Sequence, residues 1–378
     1  MKVAYILNTT KMGGGNISFI NMIEKLHQKG VEIHIIHPDK KIDPIFYSLT
    51  KDFVTQYYFC KMRPRIIEIY NHSLIYKAKC VAKRLIFRFE VFNLIRILKL
   101  ISPQLVHTNV GVIHSGYFAC KILNIPHLWH LREYQDKDFD WSIIPSKQNF
   151  ISYLKNTNVI CITKDICASF NLDNYKNAEV IYNGCFSVND CNFTHAKRKY
   201  FLCCSRVSPE KGHDIVIRAF SQFYKDHSDY KLVIAGFGNQ DYVDYLTNLA
   251  KQLKCINAIS FLGFQKNVRP LLDKAEALIV ASKFEGFGRM TAEAAFRGCI
   301  VIGRNTGGTK EIIDKTGGVF FDGTVQDLIN KMNSVSKLST DEYSKIGLKA
   351  LEVAKNQFSI EQNAENVYLT YKRILKNP

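Results

Sequence analysis

Two carboxylates bracket a pair of glycines in Phe284-Glu285-Gly286-Phe287-Gly288-Arg289-Met290-Thr291-Ala292-Glu293-Ala294. The glycines let a backbone approach a ligand closely, and a helix opening at about Arg289 would offer its first amides to an anion. Glu285 precedes that helix and Glu293 lies about one turn inside it, so both would repel a phosphate unless they face other groups. Polyol hydroxyls are natural partners, because each carboxylate accepts several hydrogen bonds. Upstream, Ser205-Arg206-Val207-Ser208-Pro209-Glu210-Lys211-Gly212 carries two cations five residues apart. Arg206 can grip a diphosphate bidentately while Lys211 acts as a point charge. A diphosphate flanked by two sugars, as in a nucleotide sugar, fits this ensemble. A capped helix with surface glutamates and two solvated loop cations is the plainer reading of each part taken alone.

Two further stretches could join this chemistry. Lys11-Met12-Gly13-Gly14-Gly15-Asn16 opens a helix after the first apolar run. It is not the dinucleotide Gly-x-Gly-x-x-Gly pattern, and by itself it reads as a tight strand-to-helix turn. Trp129-His130-Leu131-Arg132-Glu133 puts an imidazole at the end of another apolar run, where it can donate a hydrogen bond, move a proton or read a sugar hydroxyl.

These residues need elements to position them. Short apolar, β-branched runs predict strands over 3–7, 31–36, 105–108, 127–130, 159–163 and 179–182, then over 200–205, 231–235, 259–262, 277–282 and 300–302. Amphipathic stretches such as 214–224 and 241–253 lie between them. Such alternation predicts an α/β chain with parallel sheets covered on both faces, and two series of it predict two Rossmann-like doubly wound domains. The aperiodic stretch 189–199 is the expected boundary. The domains are expected at 1–190 and 197–356, with 357–378 as a C-terminal helix. The stretch 189–199 and the segment before Phe358 are expected to act as hinges. In parallel sheets, ligands bind beyond the carboxyl ends of the strands, which is where every residue singled out above falls.

Composition narrows the class. The chain has 378 residues, 47% hydrophobic and 22% charged, an ordinary globular balance that excludes disordered, collagen-like and disulfide-stapled classes. No apolar run reaches the ~18 residues of a membrane span. The N-terminus breaks at Asn8-Thr9-Thr10 and is expected to be a first strand, not a signal peptide. Eleven cysteines without a Cys-x-x-Cys pair are expected to be free thiols in a cytoplasmic chain.

The formal charge of +17 is concentrated. In 61–99, ten basic residues oppose only Glu68 and Glu90. On a helix, Lys77, Arg84, Arg88 and Lys99 would fall within roughly 60° of one another. Leu85, Phe89, Phe92 and Leu100 would supply apolar surface between them. Such a helix suits an anionic membrane surface; it is equally a solvated face. No zinc-finger, RNP or basic-zipper pattern supports a nucleic-acid partner, and none is expected.

Taken together, Ser205-Arg206…Lys211-Gly212 and Glu285-Gly286-Phe287-Gly288…Glu293-Ala294 resemble the retaining glycosyltransferases of family 4, which have the GT-B fold of two Rossmann-like domains facing a central cleft. The glycine-rich first loop, Trp129-His130-Leu131-Arg132-Glu133, Tyr182-Asn183-Gly184 and the tail from Phe358-Ser359-Ile360-Glu361 support the resemblance, which runs over nearly the whole chain. It implies that Glu285 contacts the donor sugar, Glu293 the ribose, and the amides of Gly288, Arg289 and Met290 the diphosphate, with Arg206 and Lys211. It implies that Gly14 and Gly15 border the cleft, that His130 sits near the donor's anomeric region and acts with Glu285 in catalysis, and that the base lies near Phe261-Leu262-Gly263. It implies no metal and no other cofactor. It also implies transfer, with retention, from a nucleotide sugar, expected to be a UDP-sugar, to a growing and lipid-linked glycan in polysaccharide biosynthesis. The basic 61–99 segment would then place the protein at the inner face of the cytoplasmic membrane. Arg289-Met290 stands where the family often has an aliphatic pair, and Cys185-Phe186 follows Asn183-Gly184 where Val-Asp is commoner. The alternatives are a nucleotide-sugar epimerase on a similar fold and a non-catalytic binder of polyanions or anionic membranes.

Overall fold

A computed structural model describes residues 1–68, 74–137, 141–194 and 199–376. The chain forms two compact units, the first made of Met1–Gly184 with Ile360–Pro378 and the second of Cys185–Ser359.

Unit 1 runs β1 (Lys2–Ile6), α1 (Gly14–Gln28), β2 (Glu32–His37), α2 (Pro44–Thr50), β3 (Gln56–Phe59), β4 (Ile66–Glu68), α3 (Leu74–Ile101), β5 (Leu105–Thr108), α4 (Ser115–Leu123), β6 (His127–Leu131), β7 (Trp141–Ile143), α5 (Lys147–Leu154), β8 (Asn158–Cys161), α6 (Lys164–Ser169) and β9 (Ala178–Val180). Its main sheet has the order β3-β2-β1-β5-β6-β8-β9, and every pairing in it is parallel. β4 and β7 form a separate antiparallel pair. The strand order reverses between β1 and β5, the switch point of a doubly wound sheet. The central strands are buried on both faces, as their unbroken apolar runs require.

Unit 2 runs β10 (Tyr200–Cys204), α7 (His213–Asp226), β11 (Lys231–Ala235), α8 (Gln240–Gln252), β12 (Ile259–Gly263), α9 (Arg269–Lys274), β13 (Ala277–Val280), α10 (Arg289–Ala295), β14 (Ile300–Arg304), α11 (Gly307–Thr316), β15 (Val319–Phe321), α12 (Val325–Ser336) and α13 (Thr340–Gln357). Its parallel sheet has the order β12-β11-β10-β13-β14-β15, with the reversal between β10 and β13. Read in chain order this is 3-2-1-4-5-6, the dinucleotide-fold arrangement.

The final helix, α14 (Ile360–Lys376), is part of unit 1. Its Val367, Tyr371 and Ile374 enter the cluster of Phe19, Met22 and Leu26 from α1, each such burial contributing about 1.5–3 kcal/mol. Lys25 of α1 and Lys29 just after it pair with Glu361 and Glu365 at the rim.

The structure adds strands beyond the sequence expectation. β3 and β15 widen the sheets at their edges, where short or mixed polar segments give a weak alternating signal. α3 spans much of the basic window. The side chains of Lys77, Lys79, Lys83, Arg84 and Leu85 lie outside the described residues, as do 195–198 of the expected hinge. On the described part of α3, Arg88, Phe89, Phe92, Arg96, Lys99 and Leu100 are exposed, with Phe89 at 71%, Phe92 at 59% and Leu100 at 75%. Glu90 turns inward and accepts from the Arg63 guanidinium at 3.0 Å. Among the described residues no helix is long and apolar enough to cross a membrane.

Candidate functional site

In unit 2 the loops after β10 and β13, on either side of the switch point, carry Lys211 and Glu285. Lys211 Nζ donates to Glu285 Oε1 at 2.6 Å, and Ser282 Oγ donates to the same oxygen at 2.7 Å. Arg206, on the first of these loops, pairs with Glu210. Arg289 donates to Glu293 Oε1 through Nε at 3.2 Å and Nη2 at 2.7 Å. All three cations singled out in the sequence are therefore paired with carboxylates. The pairing also answers the repulsion that two bare carboxylates would present to a phosphate, since each carries its own counter-charge. Burial works against the Arg289 charge, and the neighbouring Glu293 outweighs it, holding the guanidinium above its ordinary pKa. The half-buried Met290 packs its side chain against the apolar cluster of Leu202, Ala235 and Leu278.

Gly288 caps α10 at φ +81°, a left-handed conformation that favours glycine. A Cβ there would come 3.2 Å from the hydroxyls of both Thr291 and Thr309, which are buried and unpartnered among the described residues. Thr309 follows Gly307-Gly308 at the start of α11. The Gly308 amide donates to the Glu285 carbonyl at 2.8 Å, and a Cβ on Gly308 would lie 2.4 Å from the Phe287 carbonyl oxygen. The sequence reading missed this second glycine loop. Its signal, two glycines shortly after the apolar strand β14, was present. Cys185 and Cys204 lie near the Arg289–Glu293 pair, and burial pushes both thiols up to about 12, so neither is a thiolate nucleophile near neutral pH.

Gly263 ends β12 at φ +64°, and its carbonyl accepts from the Gly236 amide at 2.8 Å. Phe264 and Phe237, following β12 and β11, are 70% and 64% exposed and meet edge to face at 6.4 Å. They were also missed.

In unit 1, Gly14 begins α1 and Gly15 follows it. A Cβ added at Gly15 would meet no atom within 4 Å, so the packing of the protein does not itself require glycine there. Asn16 braces the loop by donating to the carbonyls of Thr9 at 3.0 Å and Lys11 at 2.8 Å. His130 is fully buried near the end of β6. Arg132 donates to Asn109 at 3.0 Å and to Asn183 at 2.6 Å, which joins two stretches that the sequence marked separately. Among the described residues no group of three or more His, Cys, Asp or Glu is placed to hold a metal ion.

Both sheets show the GT-B architecture, and residues 192–352 match the sequence family Glycosyl transferases group 1. That match covers most of unit 2, and the chain is similar to glycosyltransferases over further stretches. It is 32% identical over 184 residues to an uncharacterized glycosyltransferase of Methanocaldococcus jannaschii, a match spanning 43% of this chain and 46% of that protein. It is 24% identical over 336 residues, 83% of each chain, to the O-antigen biosynthesis glycosyltransferase WclY of Escherichia coli. Over 28% of each chain it is 34% identical to the N-acetylgalactosamine-N,N'-diacetylbacillosaminyl-diphospho-undecaprenol 4-alpha-N-acetylgalactosaminyltransferase of Campylobacter jejuni. Anabaena HepE, solved with UDP, shares the fold at a TM-score of 0.79 and 21% identity, covering 99% of this chain and all of that one. The same protein solved with UDP-glucose superposes at 0.77, with 20% identity, 99% of this chain and all of that one.

Proposed function

We propose that the protein is a retaining glycosyltransferase of family 4 that moves a sugar from a UDP-sugar to a growing, lipid-linked glycan. The observation that carries this reading is the bridge from Lys211 to Glu285 across the switch point of unit 2, with the Arg289–Glu293 pair on the adjoining helix. The UDP and UDP-glucose complexes of HepE and the undecaprenol-linked substrate in the name of the Campylobacter relative support it.

In this reading Arg206, Lys211 and the amides around Gly288, Arg289 and Met290 hold the diphosphate. Glu285 and Glu293 read sugar and ribose hydroxyls, and Phe237, Gly263 and Phe264 flank the base. Gly14 and Gly15 let the acceptor come close, and His130 serves the donor sugar. The bond from the anomeric carbon to the β-phosphate oxygen breaks, and a new bond forms from that carbon to an acceptor hydroxyl on the same face. The hydroxyl's proton passes to the leaving phosphate oxygen, so the products are UDP and the glycoside. Fixed cations and amides stabilise the charge that develops on the diphosphate, and the reading assigns no resident metal. The exposed basic and aromatic face of α3 meets an anionic membrane at its cytoplasmic side, where such an acceptor is held.

The test is a panel of nucleoside diphosphates and UDP-sugars, with EDTA present. Ligand at 100 times its Kd should stabilise the protein by about 2.7 kcal/mol. The product's anomeric configuration is read by NMR. Stabilisation by UDP alone among the diphosphates, lost in Arg206→Ala, supports the reading; indifference to every nucleotide sinks it. An inverted product would reject retention alone.

A further inference from the structure

Tyr5 of β1, His107 of β5 and His130 of β6 lie on one face of adjacent strands, and Tyr371 of α14 covers them. His107 Nδ1 lies 2.5 Å from the Tyr371 hydroxyl, which is also placed to donate to the Tyr5 hydroxyl at 3.2 Å. His107 Nε2 lies 3.2 Å from His130 Nδ1, which Arg132 Nη2 also reaches at 3.5 Å. The remaining ring nitrogen, His130 Nε2, is buried and has no hydrogen-bond partner among the described residues.

A neutral imidazole has one N–H and one lone pair, whereas a guanidinium has only donors. Arg132 is held in place by Asn109 and Asn183, so the nitrogen it faces is the one with the lone pair. His107 must then donate to His130 through Nε2, which leaves its own Nδ1 to accept the single proton of Tyr371 across 2.5 Å, in preference to Tyr5 at 3.2 Å. We infer that Tyr371, His107 and Arg132 are positioning residues that fix His130 as the Nε2–H tautomer, so that it offers substrate a neutral hydrogen-bond donor and not a base. Burial, and then the nearby Arg132, keep the pKa of both imidazoles well below the ordinary value, which maintains the neutral form. Only the identity of the accepting atom, an oxygen of the donor sugar, rests on the function proposed above.

The test labels the histidines of the full chain with 15N and records two-bond 1H–15N correlations near neutral pH, assigning signals with His130→Gln and His107→Gln. His130 should show a protonated Nε2 and a bare Nδ1. Tyr371→Phe should shift the His107 tautomer, give His130 an Nδ1–H population and lower kcat about tenfold, the worth of one hydrogen bond. Its Kd for UDP should not change. A wild-type His130 protonated at Nδ1 overturns the inference, and so does a Tyr371→Phe spectrum identical to wild type. If Tyr371→Phe does not fold, the wild-type spectrum and Arg132→Gln decide the matter. Absence of UDP-sugar turnover would reject the proposed activity and leave the tautomer result standing.

Discussion

Lys211 and Glu285 meet at 2.6 Å although 74 residues separate them in sequence. Their loops leave β10 and β13, the two strands between which the order of the sheet reverses, so the ion pair closes the mouth of the switch point. Both side chains are about one-fifth exposed, which shields the pair from full solvent screening.

On the proposed function, Lys211→Ala would remove a cation from the diphosphate, and it leaves Glu285 without the Lys211 counter-charge. Turnover should fall roughly 100-fold. The Lys211→Ala/Glu285→Gln double variant should be more stable than the sum of the single losses, by a coupling of about 1–2 kcal/mol. Urea titrations of all four proteins check this, and strict additivity would show that the contact has no energetic weight.

Glu293→Gln removes the carboxylate that pairs with the Arg289 guanidinium, whose side chain is only 19% exposed. The expected cost is about 3 kcal/mol, the penalty for breaking a buried ion pair by removing one partner. A urea midpoint within error of wild type would contradict it.

Gly308→Ala would force the Phe287 carbonyl, 2.4 Å from the new Cβ, to move, and Gly288 with it. Affinity for UDP-sugars should drop at least roughly tenfold, a loss of about 1.4 kcal/mol. Calorimetric titration measures it, and unchanged binding would separate this loop from the donor site.

His114 and His127 of unit 1 are buried, and burial takes both pKa values down to about 3. The unfolded chain binds protons at these positions near pH 6.5 while the folded one does not, so stability is full above that value and falls as pH drops towards 3. At pH 5 each imidazole should cost about 2 kcal/mol. Denaturant midpoints at pH 7, 6 and 5 test this, and a flat profile would refute the neutral burial of these rings.

The exposed face of α3 should bind vesicles containing phosphatidylglycerol in preference to phosphatidylcholine alone. Reversing charge at Arg88 and Lys99 should weaken co-sedimentation at least roughly tenfold, at about 1 kcal/mol per basic residue. Binding indifferent to lipid charge would mark this face as merely solvated.

Much of this was legible along the chain because parallel strands buried on both faces read as continuous apolar runs, and ligand loops must follow them. Glycine and charge after β10 and β13 located the unit 2 loops for that reason. The pairing of Lys211 with Glu285 was not legible, since it depends on which strands become neighbours. Arg289 with Glu293 is a one-turn spacing and could have been foreseen. The edge strands β3 and β15 escaped notice because an edge buries little and needs no long apolar run. The link from His107 to Tyr371 joins residues 264 positions apart, beyond the reach of any local pattern.

α14 completes unit 1 only after the whole of Cys185–Ser359 has been added to the chain. During synthesis the second unit, contiguous and owning its entire six-stranded sheet, can therefore mature first, reversing the usual N-terminal-first order on the ribosome. Until Tyr371 arrives, the face bearing Tyr5 and His107 lacks its cover and unit 1 stays a target for chaperones and proteases. Premature termination before Ile360 would thus yield a finished second unit beside an unfinished first one.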